Sequence, residues 1–149
     1  MSGLTTSIGP EEIARVCHAG QVDRAGKPYI EHVQRVVERV RSYGPDFVAV
    51  AWLHDVREDS DYRWSDEGIS PDVLAAVDLL TRKPGRTYRE YIQAIIDHPN
   101  DHQQKLAVTV KIADVEDHLG PANRGGLGTL RERYEWALRK LVITCNQSD

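Results

Sequence analysis

Along most of this chain apolar residues recur at the three- and four-residue spacing of an amphipathic helix, and in two stretches the pattern thickens until no polar face is left. The first amphipathic segment opens at Pro10, has Glu11 and Glu12 in its first turn, and runs through Ile13, Val16 and Cys17 to end near His18. Residues 21–28, QVDRAGKP, read as a turn-rich loop, and Tyr29 begins a second helix with Val33, Val36, Val37 and Val40 on its inner stripe. His32, one turn before Val36, lies on that same inward side. After a break at 42–45 comes the first thick stretch, 47–59 (FVAVAWLHDVRED), read as one helix that is apolar nearly all round until His54.

Residues 60–70 form a polar loop carrying Tyr62 and Trp64, after which Pro71 opens a helix striped by Val73, Leu74, Val77 and Leu80. The Pro-Gly turn KPGR at 83–86 ends it, and Tyr88, Tyr91, Ile92, Ile95 and Ile96 mark the next helix. A short turn at 98–101 leads into the second thick stretch, 106–115, apolar nearly all round and interrupted by the charged Lys111 and Asp114. Residues 121–128, PANRGGLG, are a loop, and Leu130, Tyr134, Ala137, Leu138 and Leu141 stripe a last helix. There is no repeat, no low-complexity tract and no strand pattern. The prediction is an all-α domain of about six or seven helices, with two buried central helices wrapped by amphipathic ones.

Composition narrows this little. The chain's 149 residues make one domain spanning 1–149, with 1–9 frayed, large enough for a core without disulfides. A net charge of -4 with the two signs interspersed gives no basic footprint for nucleic acid and no sign of an anionic membrane partner. Cys17 and Cys145 have no metal-like spacing, and the N-terminus MSGLTTSIGP has neither the charged nor the apolar region of a signal peptide. The expectation is a cytoplasmic protein with reduced thiols; the sequence leaves its oligomeric state open.

Charge inside apolar helices changes the picture more. An unpaired carboxylate taken out of water costs several kcal/mol or is neutralised, so buried charges are paired, hydrogen-bonded or bound to metal. His32, the His54-Asp55 pair and Asp114 stand on three separate helices where apolar residues are expected, and together make a two-histidine, two-aspartate set. Such mixed ligation suits manganese, iron, zinc or magnesium, and four protein donors leave positions open for water or substrate oxygen. On a continuous helix His54 would lie above Glu58, and Asp55 above Asp59, adding two acid-base groups one turn on.

Four blocks carry a family likeness: HAGQVDRAGKPYIEHV, HDVRED, LTRKPGRTYREYI and KIADVEDHL, in that order from His18 onward. The chain resembles a small HD-domain phosphohydrolase of the RelA/SpoT hydrolase and metazoan SpoT homologue type, over nearly its whole length. The resemblance implies manganese held by His32, His54, Asp55 and Asp114, with Glu58 and Asp59 positioning and activating the attacking water. It implies removal of the 3'-pyrophosphate of guanosine tetra- or pentaphosphate, so that the partner is a small nucleotide. Arg24, Lys27, Arg82 and Lys83 are candidates to hold phosphate oxygens.

Two positions depart from the family pattern. Asp23 and Arg24 stand where the long enzymes have a guanine-stacking arginine and a lysine, and His118 replaces an asparagine near the ribose. His118 shares a helix face with Asp114, so it contacts substrate or crowds the metal. Both departures fall on the nucleoside side and leave the base open, with an adenine alarmone, another nucleotide phosphate or a non-catalytic nucleotide sensor as alternatives.

Other residues have plainer readings. Tyr88 and Tyr91 sit at helical spacing with Ile92 and Ile95, which is a packing pattern, as is that of Tyr134; Tyr88 is carried as a candidate for the nucleotide pocket. Lys111 is read as a snorkelling or structurally paired lysine outside the site. His18, His98 and His102 are read as surface or helix-end residues. Gly125, Gly126 and Gly128 make a flexible turn, since no Gly-Lys-Ser/Thr follows.

Overall fold

The computed structural model describes residues 9–59, 68–121 and 127–147, with the side chain of Asp59 outside that set. Tyr62, Trp64, Gly125 and Gly126 also lie outside the described residues. Among the described residues there are seven helices of eight residues or more: α1 (Pro10–Cys17), α2 (Ile30–Val40), α3 (Pro45–Leu53), α5 (Pro71–Leu79), α6 (Tyr88–Ile96), α7 (Asp101–Leu119) and α8 (Leu130–Gln147). A single turn, α4 (Val56–Asp59), follows α3, and a short 3-10 turn, Arg41–Tyr43, follows α2. Among the described residues the only strand-like pairing is an isolated bridge between Val22 and Pro28 in the loop after α1. The protein is all-helical, as the hydrophobic pattern predicts.

Local chemistry sets the boundaries. Proline opens α1, α3 and α5, where its missing N–H costs nothing and its fixed φ suits the first turn. Thr87 caps α6 in a reciprocal box with Glu90, and the Asn100 side chain accepts from Gln103 N at 3.0 Å to cap α7. Gly44, at φ 119°, makes the turn into Pro45 that a side chain would strain.

Two helices form the centre. α3 packs against α1, α2, α5 and α7, while α7 packs against α2, α3, α5, α6 and α8. Phe47, Val50, Ala51, Trp52 and Leu53 are buried on α3, as are Leu106, Val108, Val110 and Val115 among others on α7. Truncating a fully buried residue such as Leu53 or Leu106 to alanine is expected to cost about 2–5 kcal/mol. Among the described residues no helix is long and apolar enough to cross a membrane.

Three local readings change. On α1 the buried face is Ile13, Ala14 and Cys17, whereas Val16 is exposed, because 13, 14 and 17 share a face that 16 leaves. His18 does end α1 but is buried, its ring 5.1 Å from that of Tyr29. The stretch 47–59 is not one helix: α3 stops at Leu53, and His54 and Asp55 form a turn before α4. The physical reason lies in one carbonyl. Ala51 would accept from the Asp55 amide in a continuous helix, but the His54 ring takes it through Nδ1 at 2.6 Å.

Candidate metal centre

α2 delivers His32, the α3–α4 turn delivers His54 and Asp55, and α7 delivers Asp114, so the set is assembled by the packing of the central pair against α2. Each of the four offers a donor atom, and these atoms all lie within 4.8 Å of one another. His32, His54 and Asp114 are buried and Asp55 nearly so. His32 Nε2 is 2.8 Å and His54 Nε2 is 3.3 Å from the same oxygen, Asp114 Oδ1. His54 Nε2 is also 3.0 Å from Asp55 Oδ2.

The rings are held from behind. His54 donates through Nδ1 to the Ala51 carbonyl, which leaves Nε2 as the atom facing the carboxylates. His32 donates through Nδ1 to Asp117 Oδ2 at 2.7 Å, and Arg35 Nε donates to the other Asp117 oxygen at 2.8 Å. A carboxylate behind an imidazole in this way fixes the ring and raises its basicity as a ligand. Tyr29 donates its hydroxyl to Asp55, and its ring packs between His18 and His32.

The electrostatics favour positive charge at the cluster. Burial works against a charged His32, but hydrogen bonds to Asp114 and Asp117 outweigh it and push the imidazole up to about 9. His54 is likewise raised against burial, by Asp55 and Asp114. Burial opposes a charged Asp114 too, yet Lys111 and the surrounding imidazoles hold its carboxyl well below the usual range. The same field that holds protons here favours a divalent cation. The donor set of two imidazoles and two carboxylates, its mutual spacing and the fixed His54 tautomer all fit a borderline to hard ion.

A cavity of about 270 Å³ opens over this cluster, reaching Asp55 and Asp114 at its floor. Glu58 lines it and accepts a hydrogen bond from the Arg82 amide; partial burial pushes its carboxyl up. Arg82, Tyr88 and His118 line it as well. The Arg82 guanidinium donates to the Arg86 carbonyl at 3.0 and 2.9 Å, and the Tyr88 hydroxyl is buried with no hydrogen-bond partner among the described residues. Arg24 and Lys27 are exposed on the loop after α1 and are not among the lining residues. Lys83 instead pairs with Asp78 at 3.6 Å.

The sequence reading missed several members. Lys111, read as a structurally paired lysine outside the site, is indeed paired, with Nζ 2.9 Å from Asp114 Oδ2, but it is buried and lines the cavity. A lysine three residues before an inward aspartate on an apolar helix was a usable signal for this pair. Asp117 carried the same signal, one turn past Asp114. Arg133 and Tyr134 line the cavity from α8, and nothing in their amphipathic pattern marks them. Of the lone histidines, His98 pairs with Gln103 at 2.8 Å and His102 is exposed, as expected, whereas His18 borders the site.

Compared with known proteins, the sequence matches no family profile and no curated sequence. A solved structure of a metazoan ortholog of SpoT that hydrolyzes ppGpp and plays a role in starvation responses is similar in three dimensions. The two superpose with a TM-score of 0.68 at 24% identity, covering 91% of this chain and 82% of that one. This chain therefore has the fold of an HD-domain hydrolase.

Proposed function

We propose that the protein is a metal-dependent phosphohydrolase that removes the 3'-pyrophosphate of guanosine tetra- or pentaphosphate. The observation that carries the reading is the convergence of His32, His54, Asp55 and Asp114 beneath a cavity whose walls bear Arg82, Lys111 and Arg133. The fold shared with a ppGpp-hydrolysing protein supports the substrate class.

Manganese is the proposed ion, held by His32, His54, Asp55 and Asp114; when bound, it supplies Lewis-acid stabilisation of phosphoryl charge. The chain's own groups do the remaining work. Glu58, with its carboxyl raised towards neutrality, takes a proton from the attacking water, and the Arg82 amide fixes one of its oxygens. Asp59 is its proposed partner. Arg82 and Arg133 balance phosphate charge, while Lys111 keeps Asp114 ionised and oriented. The Tyr88 hydroxyl, buried without a partner at the wall, is free to meet a polar atom of the nucleotide.

One observation favours a second substrate. Asp23, at the position of the family's guanine-stacking arginine, accepts from the amides of Ala25 and Lys27 at 2.9 Å, so it shapes the loop and offers no stacking plane. A tetraphosphate of adenosine then becomes the alternative. The deciding assay is pyrophosphate release from guanosine and adenosine tetraphosphates with and without manganese, with Asp55→Ala as control. Manganese-dependent release from the guanosine substrate, lost in the variant, is expected. Release from the adenosine substrate alone selects the alternative, and no release from manganese-loaded protein rejects both.

A further inference from the structure

We infer that His118 is a fifth ligand of the metal centre, so that three imidazoles and two carboxylates hold the cation. This rests on the metal-centre reading above and adds a residue to it.

The starting point is Asp114 Oδ1. His32 Nε2 lies 2.8 Å from it, His54 Nε2 3.3 Å and His118 Nε2 3.3 Å, so three imidazole nitrogens converge on one carboxylate oxygen. In a six-coordinate site with bonds of about 2.1–2.2 Å, neighbouring donors are about 3.0 Å apart. All three separations from Oδ1 lie near that edge length, but His118 is not among the four residues whose donor atoms all lie within 4.8 Å of one another, so binding has to draw its ring inward. Read as hydrogen bonds, the two 3.3 Å contacts are long for a charge-assisted pair, which closes to about 2.7–2.9 Å. For His54 the hydrogen-bond reading has a further difficulty. Its Nδ1 already donates to Ala51, so a neutral ring turns a lone pair towards Oδ1, and only a proton or a cation makes that contact favourable.

The His118 ring is packed on both sides. It stacks on His32 with centroids 4.5 Å apart and planes at 30°. On its other side His118 lies against Tyr134, 4.9 Å away and parallel within 2°, so α8 clamps the ring in this orientation. His118 follows Asp114 by four residues on α7, which aims both side chains at one point. Here Tyr134 is a positioning residue, acting through His118. Five protein donors leave one octahedral position for an exchangeable oxygen, where four leave two.

The test is spectroscopic. Nitrogen couplings in pulsed EPR of the manganese-loaded full-length protein should report three imidazoles, and two would overturn the assignment without any variant. In parallel, His118→Asn should weaken manganese binding by calorimetry about tenfold or more. It should also raise the number of exchangeable waters on manganese, measured by water-proton relaxation, from one to two. Unchanged affinity and water number would overturn the assignment while leaving a four-ligand centre intact. A wild-type protein that takes up no manganese overturns the metal centre itself and this inference with it, an outcome distinct from both others.

Discussion

The floor of the cavity and the exposed surface carry the same kinds of charged residue under opposite constraints. On the floor, His32, His54 and Asp114 are 2–3% exposed, and every one is held by two or more polar partners. On the surface, Arg24 and Lys27 are exposed and lie outside the cavity lining, and Lys83 is paired to Asp78. A buried charge has few arrangements in which its lost hydration is repaid, so its partners are dictated. An exposed one is solvated wherever it points, and nothing local decides whether it meets a substrate.

The contrast is broken most severely at Asp114. Replacing it with alanine leaves the buried Lys111 ammonium unpaired and removes the oxygen on which the imidazoles converge. Loss of about 3–5 kcal/mol in denaturant unfolding is expected, together with loss of manganese uptake by calorimetry. If Asp114→Ala is as stable as the parent, Lys111 is not the buried partner described here.

Asp117→Asn is a milder probe of the same floor. It keeps the shape beside His32 Nδ1 but removes the carboxylate, whose pKa of about 2 reflects His32 and Arg35 overriding its burial. Manganese affinity is expected to fall about 10–100-fold. An unchanged affinity would show that the fold alone orients His32.

A third effect is one of pH. In chelator-treated protein His32 is held at about 9, above its ordinary 6.5, so its contribution to stability is complete below pH 6.5 and is lost as pH rises through 9. A cation competes with that proton, so manganese affinity should increase between pH 6.5 and 9. Calorimetry in buffers of different ionisation enthalpy should reveal proton release; binding with none would contradict the raised value.

The smallest effect concerns the exposed side chains. Arg24→Ala and Lys27→Ala should leave the melting temperature unchanged, and any rise in KM with kcat preserved would show that these side chains swing onto the substrate. No change in either constant would confine phosphate recognition to the cavity wall.

Helices whose boundaries rest on neighbouring residues were legible in the chain. Pro10 and Pro71 each open a helix, and α7 was readable from a run with almost no polar face, whereas Pro45, read as part of a break, opens α3. The four proposed ligands were legible too, since charge in an apolar stretch demands an explanation. The break after Leu53 was not, because it depends on a ring competing with an amide for one carbonyl. Nor was the burial of His18, at a helix end whose sequence looks like a surface turn.

The sequence by itself determined the all-helical class and the donor types on three helices, because periodicity and the cost of buried charge act residue by residue. Only the tertiary structure decided that His118 and Tyr134 stack beside His32, that Asp117 stands behind it, and that Lys111 closes on Asp114. These contacts join side chains up to 86 positions apart (His32 to His118), and their geometry depends on how α2, α7 and α8 pack. A helical repeat says which way a residue faces; which side chain it meets there is set by the neighbouring helix.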